Sequence, residues 1–352
     1  MYQMNSITPE KIYRFNSLLE SSERIVIVSH MKPDGDAVGS SMGMYHTLKL
    51  YGKTAKIALT NPAPASISFL TEGNEDILIH EYMPEETEKN ILEADLLICL
   101  DFNAFHRTDK LQNSLAESKA AKVLIDHHLS PDVESFSLVF SETEISSASE
   151  LLYNVLMELP PIDGKACNLP IEAATALMTG MTTDTNNFMN STYPSTLRMA
   201  SSLLEAGVDR DMIIQHVYNS FKEERIRLQG HVLKDLLHIT PDGVAYTILD
   251  KETMLKYKTE DGDTEGFVNI PLSISGVLMS IFIKEDEDRV RVSIRSRKGT
   301  SANRCAKLYF NGGGHENAAG GRLYMPQDIA DINEAAEYIE RVTHIFMTED
   351  NE

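Results

Sequence analysis

Imidazoles and carboxylates recur in this chain at the places where apolar runs end. The stretch His30-Met31-Lys32-Pro33-Asp34-Gly35-Asp36 puts one imidazole and two carboxylates into a single turn. Asp101, the triplet Asp126-His127-His128, and Asp184 follow further along. Any one of these is an ordinary cap or loop residue, and Asp36 is well placed to be the N-cap of a helix. As a set they need another explanation. Asp34 and Asp36 stand two apart with Gly35 between them, so one turn can offer both carboxylates, which repel each other until a cation joins them. Two histidines with four carboxylates suit two metal ions rather than one. A donor set rich in oxygen and free of thiolate favours Mn2+ or Mg2+ over structural zinc. Two such ions about 3.5–4 Å apart can hold a bridging hydroxide and clamp both oxygens of an in-line phosphoryl displacement.

The surrounding elements must hold these groups together. Ile25-Val26-Ile27-Val28 reads as a buried strand before His30, and residues 37–51, closed by Gly52, as a helix after Asp36. Residues 95–100 and 122–125 are continuous apolar runs that end at Asp101 and Asp126. Such strands alternating with helices predict an α/β unit with a mostly parallel sheet and helices on both faces. In such sheets ligands bind outside the carboxyl ends of the strands. Thr8-Pro9 predicts an N-cap followed by proline at the first helical position. Val38, Met42, Tyr45 and Leu48 fall on one side of their helix, and Gly39, Ser40, Ser41 and Gly43 allow backbone or ligand to come close. Further helices are expected over 146–159, 171–182 and 194–205. Asp209 caps what reads as one long helix reaching about His238 and connecting two domains.

The bulk numbers narrow the function. A length of 352 residues suits two domains. The net charge of −21 argues against coating long nucleic acid or an anionic membrane, while a short anionic substrate held by metal ions and a local basic patch stays compatible. Cys99, Cys167 and Cys305 fit neither a zinc knuckle nor a disulfide framework and read as reduced thiols. With no run of 18 apolar residues and no secretory h-region, a soluble cytoplasmic protein is expected. The ends, residues 1–5 and 348–352, are expected to be loose.

The second half changes character. Strand patterns cover 244–249, 277–284 and 289–297. In the last of these, Arg289-Val290-Arg291-Val292-Ser293-Ile294-Arg295 alternates, so Arg289, Arg291 and Arg295 share one face and the aliphatics the other. Arg297, Lys298, Arg304 and Lys307 follow. A solvated sheet face is the plain reading, but in so acidic a chain a basic cluster made of planar guanidinium groups suits phosphate. A helix from Ser301 to about Phe310 leads to Gly312-Gly313-Gly314-His315, a turn able to bring backbone N–H groups near an anion, and a terminal helix is expected over 331–347.

These motifs carry a family resemblance. His30-x-x-x-Asp34-x-Asp36, Asp101 after a strand, Asp126-His127-His128, and Asp184 in Gly180-Met181-Thr182-Thr183-Asp184-Thr185 resemble the four motifs of the DHH phosphoesterase superfamily, in order. Gly312-Gly313-Gly314-His315 with Ala318-Ala319-Gly320-Gly321 resembles the signature of its DHHA1 domain. The resemblance implies a DHH catalytic domain over 1–207, a connecting helix over 208–238, and a smaller α/β DHHA1 domain over 239–352, with the active site in the cleft between them. It implies that His30 and Asp34 bind one divalent ion (Mn2+ expected, Mg2+ or Co2+ as alternatives), that Asp101 bridges, and that Asp36, His127 and Asp184 complete a second site. His128 would face the substrate phosphate and act in catalysis with Asp101, and Asp126 would orient His127 or the turn. Phe102-Asn103 stand where the family often has small residues, which bears on the local shape of the pocket. Arg295, Ser296, Gly313, Gly314 and His315 would grip the substrate, and Arg107 could reach a phosphate. Length and layout most resemble the NrnA-type oligoribonucleases, which also dephosphorylate adenosine 3′,5′-bisphosphate. The implied partners are short single-stranded RNA or DNA oligonucleotides and nucleotide phosphates, with no long duplex and no membrane, and a homodimer is possible. Cyclic-dinucleotide phosphodiesterases, RecJ-like exonucleases, inorganic pyrophosphatases or exopolyphosphatases, and a non-catalytic nucleotide sensor are the competing readings.

Overall fold

A computed structural model describes residues 6–260, 262–286 and 289–349. The expected loose ends 1–5 and 350–352 lie outside the described residues, whereas Thr348 and Glu349 close the last helix, Ala335–Glu349. The chain divides into two compact units, Met1–Ser220 and Phe221–Glu352.

The first unit is built on six strands: β1 (Ile25–Val28), β2 (Ala55–Leu59), β3 (Ile77–Ile79), β4 (Leu96–Leu100), β5 (Ala121–Asp126) and β6 (Leu138–Ser141). Their order is β3-β2-β1-β4-β5-β6, and every pair is parallel. The apolar runs are continuous because both faces are covered. Ile25 and Ile27 of β1 enter one apolar layer, with Phe15, Val38 and Met42. Val26 and Val28 enter the layer on the other side, with Leu111 and Leu115. The order reverses between β1 and β4, which opens a crevice at their carboxyl ends. His30 follows β1, Asp101 follows β4, and His127 and His128 follow β5, so three adjacent strands deliver imidazoles and a carboxylate to one edge.

A further carboxylate, Asp184, comes from a helix. Ile171–Asp184 packs against Gly35–Leu48 over an unusually close crossing. A Cβ on Gly39 would stand 2.6 Å from the Ala176 carbonyl oxygen and 2.8 Å from the Gly180 backbone. A Cβ on Gly43 would meet the Leu177 side chain at 2.7 Å. The small residues of the first helix therefore admit a second backbone, and this contact carries Asp184 to the His30 turn.

The long connecting helix expected from Asp209 is broken. Asp209 does cap a helix, Arg210–Tyr218, but the chain leaves helical geometry at Asn219 and restarts as Glu223–His231. Ser220 turns its hydroxyl back onto the His216 carbonyl, competing with continuation as short polar side chains do. Glu223 and Glu224 suit the start of a new helix rather than the middle of an old one.

The second unit holds β7 (Leu237–Ile239), β8 (Val244–Leu249), β9 (Met279–Glu285), β10 (Arg289–Ser296), β11 (Gly313–His315) and β12 (Ala318–Tyr324), ordered β11-β12-β10-β9-β8-β7. Only β8 and β9 run parallel. Val290, Val292 and Ile294 pack under helices Ala302–Tyr309 and Ala335–Glu349. On the opposite face, Leu249 and Phe282 are covered by Leu228, Val232 and Phe267. Gly312-Gly313-Gly314-His315 is thus more than a turn, because its last three residues form the edge strand β11.

Candidate metal centre

His30, Asp34, Asp36, Asp101, His127 and Asp184 come together in the first unit. Their donor atoms form two compact triads, His30–Asp34–Asp101 and Asp36–His127–Asp184, and a third set joins Asp101, His127 and His128. Asp101 links them. Its Oδ2 lies 3.4 Å from His30 Nε2 and its Oδ1 lies 3.5 Å from His127 Nε2. His30 Nε2 is also 3.7 Å from Asp34, and His127 Nε2 is 4.0 Å from Asp36 and 3.7 Å from Asp184. Two ligands each about 2.1 Å from one ion stand roughly 3–4 Å apart, so these separations are those of groups sharing cations. Asp101 Oδ1 is fully buried without a hydrogen-bond partner, which is costly unless something positive meets it. The donor set fits two divalent ions.

Local structure presets each ligand. Asp101 sits one residue past β4 with φ at +63°, a conformation that non-glycine residues rarely adopt. Its N–H donates to the Ile125 carbonyl at 3.2 Å, extending the ladder to β5. Phe102 turns into the apolar layer with Leu111 and Leu115, so its bulk does not enter the ligand cluster. His30 Nδ1 donates to the Met31 carbonyl at 2.9 Å, which leaves Nε2 as the ligand nitrogen. The Met31 N–H in turn donates to the Arg107 carbonyl at 2.8 Å, so the loop after β4 latches the His30 turn. Arg107 itself is half-buried.

Two roles differ from expectation. Asp34, not Asp36, caps the helix Gly35–Leu48, accepting from Asp36 N–H and Ala37 N–H at 3.0 and 3.1 Å. Asp36 is buried and caps a different helix, Ala148–Met157: its Oδ2 accepts from Ala148 N–H at 2.6 Å and its Oδ1 from Ser149 N–H at 2.9 Å. A helix N-terminus therefore faces this carboxylate. The residues that do this were not singled out in the sequence, although Ser147 with Glu150 three residues later is a recognisable helix-start signal. Asp126, expected to orient His127 or the turn, holds the turn through His128. Its Oδ1 accepts from His128 Nδ1 at 2.7 Å and its Oδ2 from the His128 N–H at 3.2 Å.

The electrostatics follow from crowding. Burial lowers the proton affinity of His127, but Asp101, Asp184 and Asp36 outweigh it and push the imidazole up to about 10. His30 is raised against the same burial effect by Asp101 and Asp34. Burial, then repulsion from Asp101 and Asp184, raises Asp36 well above the carboxylate range. Burial also raises Asp184, to about 7, with Asp34 and Asp101 adding to it against the pull of His127. Asp101 moves the other way because the two imidazoles outweigh its burial. Four carboxylates this close cannot all be charged at neutral pH without cations among them.

In the second unit the substrate residues expected from the sequence divide. Arg295, Ala318 and His315 lie directly opposite one another across β10, β12 and β11, so Arg295 and His315 share a face. Ser296 does not share it. It falls on the buried side of the alternation, where its hydroxyl donates to the Thr300 carbonyl at 2.6 Å and accepts from Asn317 at 3.0 Å. It fastens the turn after β10. The expected anion cradle is also altered: Gly312 N–H donates to the Ala306 carbonyl and Gly314 N–H to Asn303 Oδ1, both at 3.1 Å. Gly312 is required by close approach, since a Cβ there would lie 1.9 Å from the Gly320 carbonyl oxygen. Arg297 donates to the carbonyls of Leu272 and Ile274, a structural use. Cys99 and Cys305 are buried free thiols and Cys167 is an exposed one. Among the described residues no helix is long and apolar enough to cross a membrane.

Comparison with known proteins defines the class. Residues 24–181 match the DHH family, N-terminal domain, and residues 242–341 match the DHHA1 domain. An exopolyphosphatase-related protein from Bacteroides fragilis of known structure is 37% identical, with a TM-score of 0.91, over 99% of this chain and 100% of that one. The bifunctional oligoribonuclease and PAP phosphatase NrnA of Bacillus subtilis is 29% identical over 306 residues, 86% of this chain and 90% of the relative. The protein of the same description from Thermus thermophilus is 30% identical over 301 residues, 85% and 84% respectively. The chain belongs to the DHH family and is a hydrolase of phosphoric ester bonds.

Proposed function

We propose that this enzyme hydrolyses short oligoribonucleotides, down to dinucleotides such as pApA, to mononucleotides, and removes the 3′-phosphate from adenosine 3′,5′-bisphosphate. The observation that carries the reading is the single carboxylate of Asp101 with its two oxygens turned to two imidazoles, each imidazole belonging to its own triad. The similarity of the whole chain to the two NrnA proteins supports the substrate class. His30 and Asp34 hold one divalent ion and Asp36, His127 and Asp184 the other, with Asp101 shared. Mn2+ suits this mixed nitrogen and oxygen set best. Bound there, the two ions supply Lewis acidity toward the phosphoryl oxygens and a water of lowered pKa. His128 donates its Nδ1–H to Asp126, which fixes the ring, and when Nε2 also carries a proton that N–H donates to a phosphoryl oxygen and stabilises the charge that develops on it. Arg295 and His315 hold a substrate phosphate, with Arg107 a further cation near the His30 turn.

The test is an assay of the purified full chain with Mn2+ against pApA, longer RNA, adenosine 3′,5′-bisphosphate, cyclic di-AMP and pyrophosphate. Turnover of pApA and of the bisphosphate is expected, and both should stop in EDTA. Hydrolysis of pyrophosphate alone would sink the reading, and preference for cyclic di-AMP would replace it with a cyclic-dinucleotide phosphodiesterase.

A further inference from the structure

One carboxylate of the first unit lies buried outside both triads and outside the Asp126–His128 pair. Glu150 sits in the first turn of the helix Ala148–Met157 and is fully buried, as are Ser146, Ser147 and Thr196. A glutamate three residues past a serine N-cap ordinarily folds back onto the N–H of the N-cap itself. Glu150 departs from this. Its N–H donates to Ser147 Oγ at 3.0 Å, as a capping box requires, but its carboxylate passes Ser147 and takes the residue before it. Glu150 Oε2 accepts from the Ser146 N–H at 3.2 Å and from the Ser146 hydroxyl. It accepts a third bond, at 2.7 Å, from the Thr196 hydroxyl. Thr196 belongs to a different helix, Pro194–Glu205, where its Oγ1 also accepts from the Tyr193 N–H at 3.0 Å. One oxygen of Glu150 therefore ties together the starts of two helices.

Stability alone is a poor reason for this arrangement. The other oxygen, Oε1, is buried and has no hydrogen-bond partner among the described residues. A buried carboxylate gives up its hydration, and an unmet oxygen keeps part of that cost. Apolar replacements of buried charged groups are often neutral or stabilising, so a fold that retains such a cost usually does so near a site. The site is one turn away. The two amides that follow Ser147, those of Ala148 and Ser149, are the ones that hold the two oxygens of Asp36. A carboxylate oxygen can accept an amide and still offer a lone pair to a cation, so these two bonds set the direction of the lone pairs that remain. Gly180 bounds the same segment: a Cβ there would stand 2.0 Å from Ser149 Oγ and 3.0 Å from Asp36 Oδ1. Residues 146–149 are thus pressed against Gly180 and tied to Thr196 through Glu150.

We propose that Glu150 is a positioning residue for the Asp36–His127–Asp184 triad: it fixes residues 146–149 so that the amides of Ala148 and Ser149 turn the Asp36 carboxylate toward a divalent ion. The proposal rests on the reading of that triad as an ion site. Glu150 belongs to neither triad and acts through two backbone amides. Its effect is confined to one ion, because His30, Asp34 and Asp101 take their supports elsewhere, from the Met31 carbonyl, the amides of Asp36 and Ala37, and the Ile125 carbonyl. Loss of Glu150 should therefore separate the two ions, which loss of the shared Asp101 cannot do.

The experiment titrates Mn2+ into the metal-free full chain by calorimetry, for the wild type, Glu150→Gln, Thr196→Val and Thr196→Ser, with the melting temperature of each metal-free protein measured alongside. Glu150→Gln keeps the volume and removes the charge that gathers three donors. It should weaken one of the two ions by about 10–100-fold and leave the other within about two-fold. Thr196→Val keeps the shape and removes one donor, and should weaken the same ion by about 5-fold. Thr196→Ser restores the hydroxyl and should bind both ions as the wild type does. A merely structural role predicts a lower melting temperature with both ions weakened alike or with neither changed, and either result overturns the proposal. Equal losses in Thr196→Val and Thr196→Ser overturn it as well. If Glu150→Gln does not fold, the contrast between the two Thr196 variants decides in the same way. A wild type that binds fewer than two Mn2+ overturns the two-ion reading, and the role of Glu150 with it.

Discussion

The two units solve opposite electrostatic problems with opposite constructions. The first gathers four carboxylates and three imidazoles behind β1, β4 and β5, with Asp36 and Asp101 almost wholly buried. Backbone groups fix most of these ligands: two amides of a helix N-terminus for Asp36, a carbonyl for His30, a ladder bond for Asp101. The second unit sets Arg289, Arg291 and Arg295 by strand alternation along one half-exposed sheet face. On the proposed function the contrast follows from the ligands. A divalent ion demands donors placed to within tenths of an ångström, which requires a rigid surround. An oligonucleotide backbone is a repeating charge that must bind and slide out, and it is served by exposed guanidinium groups that reach it over a range of geometries.

The sharpest way to break this contrast is at the group that both triads share. Asp101→Asn keeps the volume and removes the charge that faces both imidazoles. Turnover with Mn2+ should fall at least about 10²–10³-fold, while binding of a short RNA, read by fluorescence anisotropy, stays within a few-fold. Near-normal turnover in this variant would falsify the two-ion assignment. Withdrawing the metal gives the next largest effect, and its sign can be worked out. His127 in the folded protein titrates near 10 against an ordinary value of 6.5. Its contribution to stability is therefore full below about 6.5 and is lost as pH rises toward 10. Asp184, raised to about 7 from 3.8, adds a loss of the same sign between those two values. In EDTA, then, Tm should decline from pH 6.5 to 9.5. Mn2+ displaces these protons, so its affinity rises over the same range. At 100 times its Kd it should stabilise the fold by about 2.7 kcal/mol. A Tm gain on adding Mn2+ that does not grow with pH would show that these groups do not hold the metal.

How much of this was legible in the sequence differs between the units for the same physical reason. The strand ends were readable, because continuous apolar runs that stop at His30, Asp101 and Asp126 reflect a sheet buried on both faces. That the six groups lie together was readable only from the set, because any one acid or imidazole at a strand end is an ordinary cap or loop residue. The supports were not. That Asp36 would take the amides of Ala148 and Ser149, 112 and 113 residues away, depends on a helix crossing set by Gly39 and Gly180 and leaves no mark at Asp36 itself. The break at Asn219 was missed because a polar, charged stretch continues across it without a glycine or proline. In the second unit the alternation of β10 was plain, yet Ser296 was misjudged: adjacency to Arg295 in the chain means the opposite face in a strand. The pairing of Arg291 with Arg322 is likewise a property of register, which spacing along one strand cannot give.

The smallest predicted effect bears on the exposed face and separates it from the buried cluster by ionic strength. Charges on an open surface are screened within about 10 Å at 0.1 M salt, whereas buried groups are not. Arg295→Gln should raise KM for a short RNA by about 5–10-fold at 50 mM salt, and the difference from the wild type should shrink toward two-fold at 500 mM as both lose their long-range attraction. Mn2+ affinity of the same variant, followed by calorimetry, should match the wild type. His128→Gln should behave in the opposite way, lowering kcat by a factor that does not change with salt, because His128 is held by Asp126 and acts at contact distance. If the Arg295→Gln defect proves equally insensitive to salt, that guanidinium works as a fixed contact like those of the first unit, and the division between a rigid cation-binding cluster and an adaptable anion-binding surface would have to be redrawn.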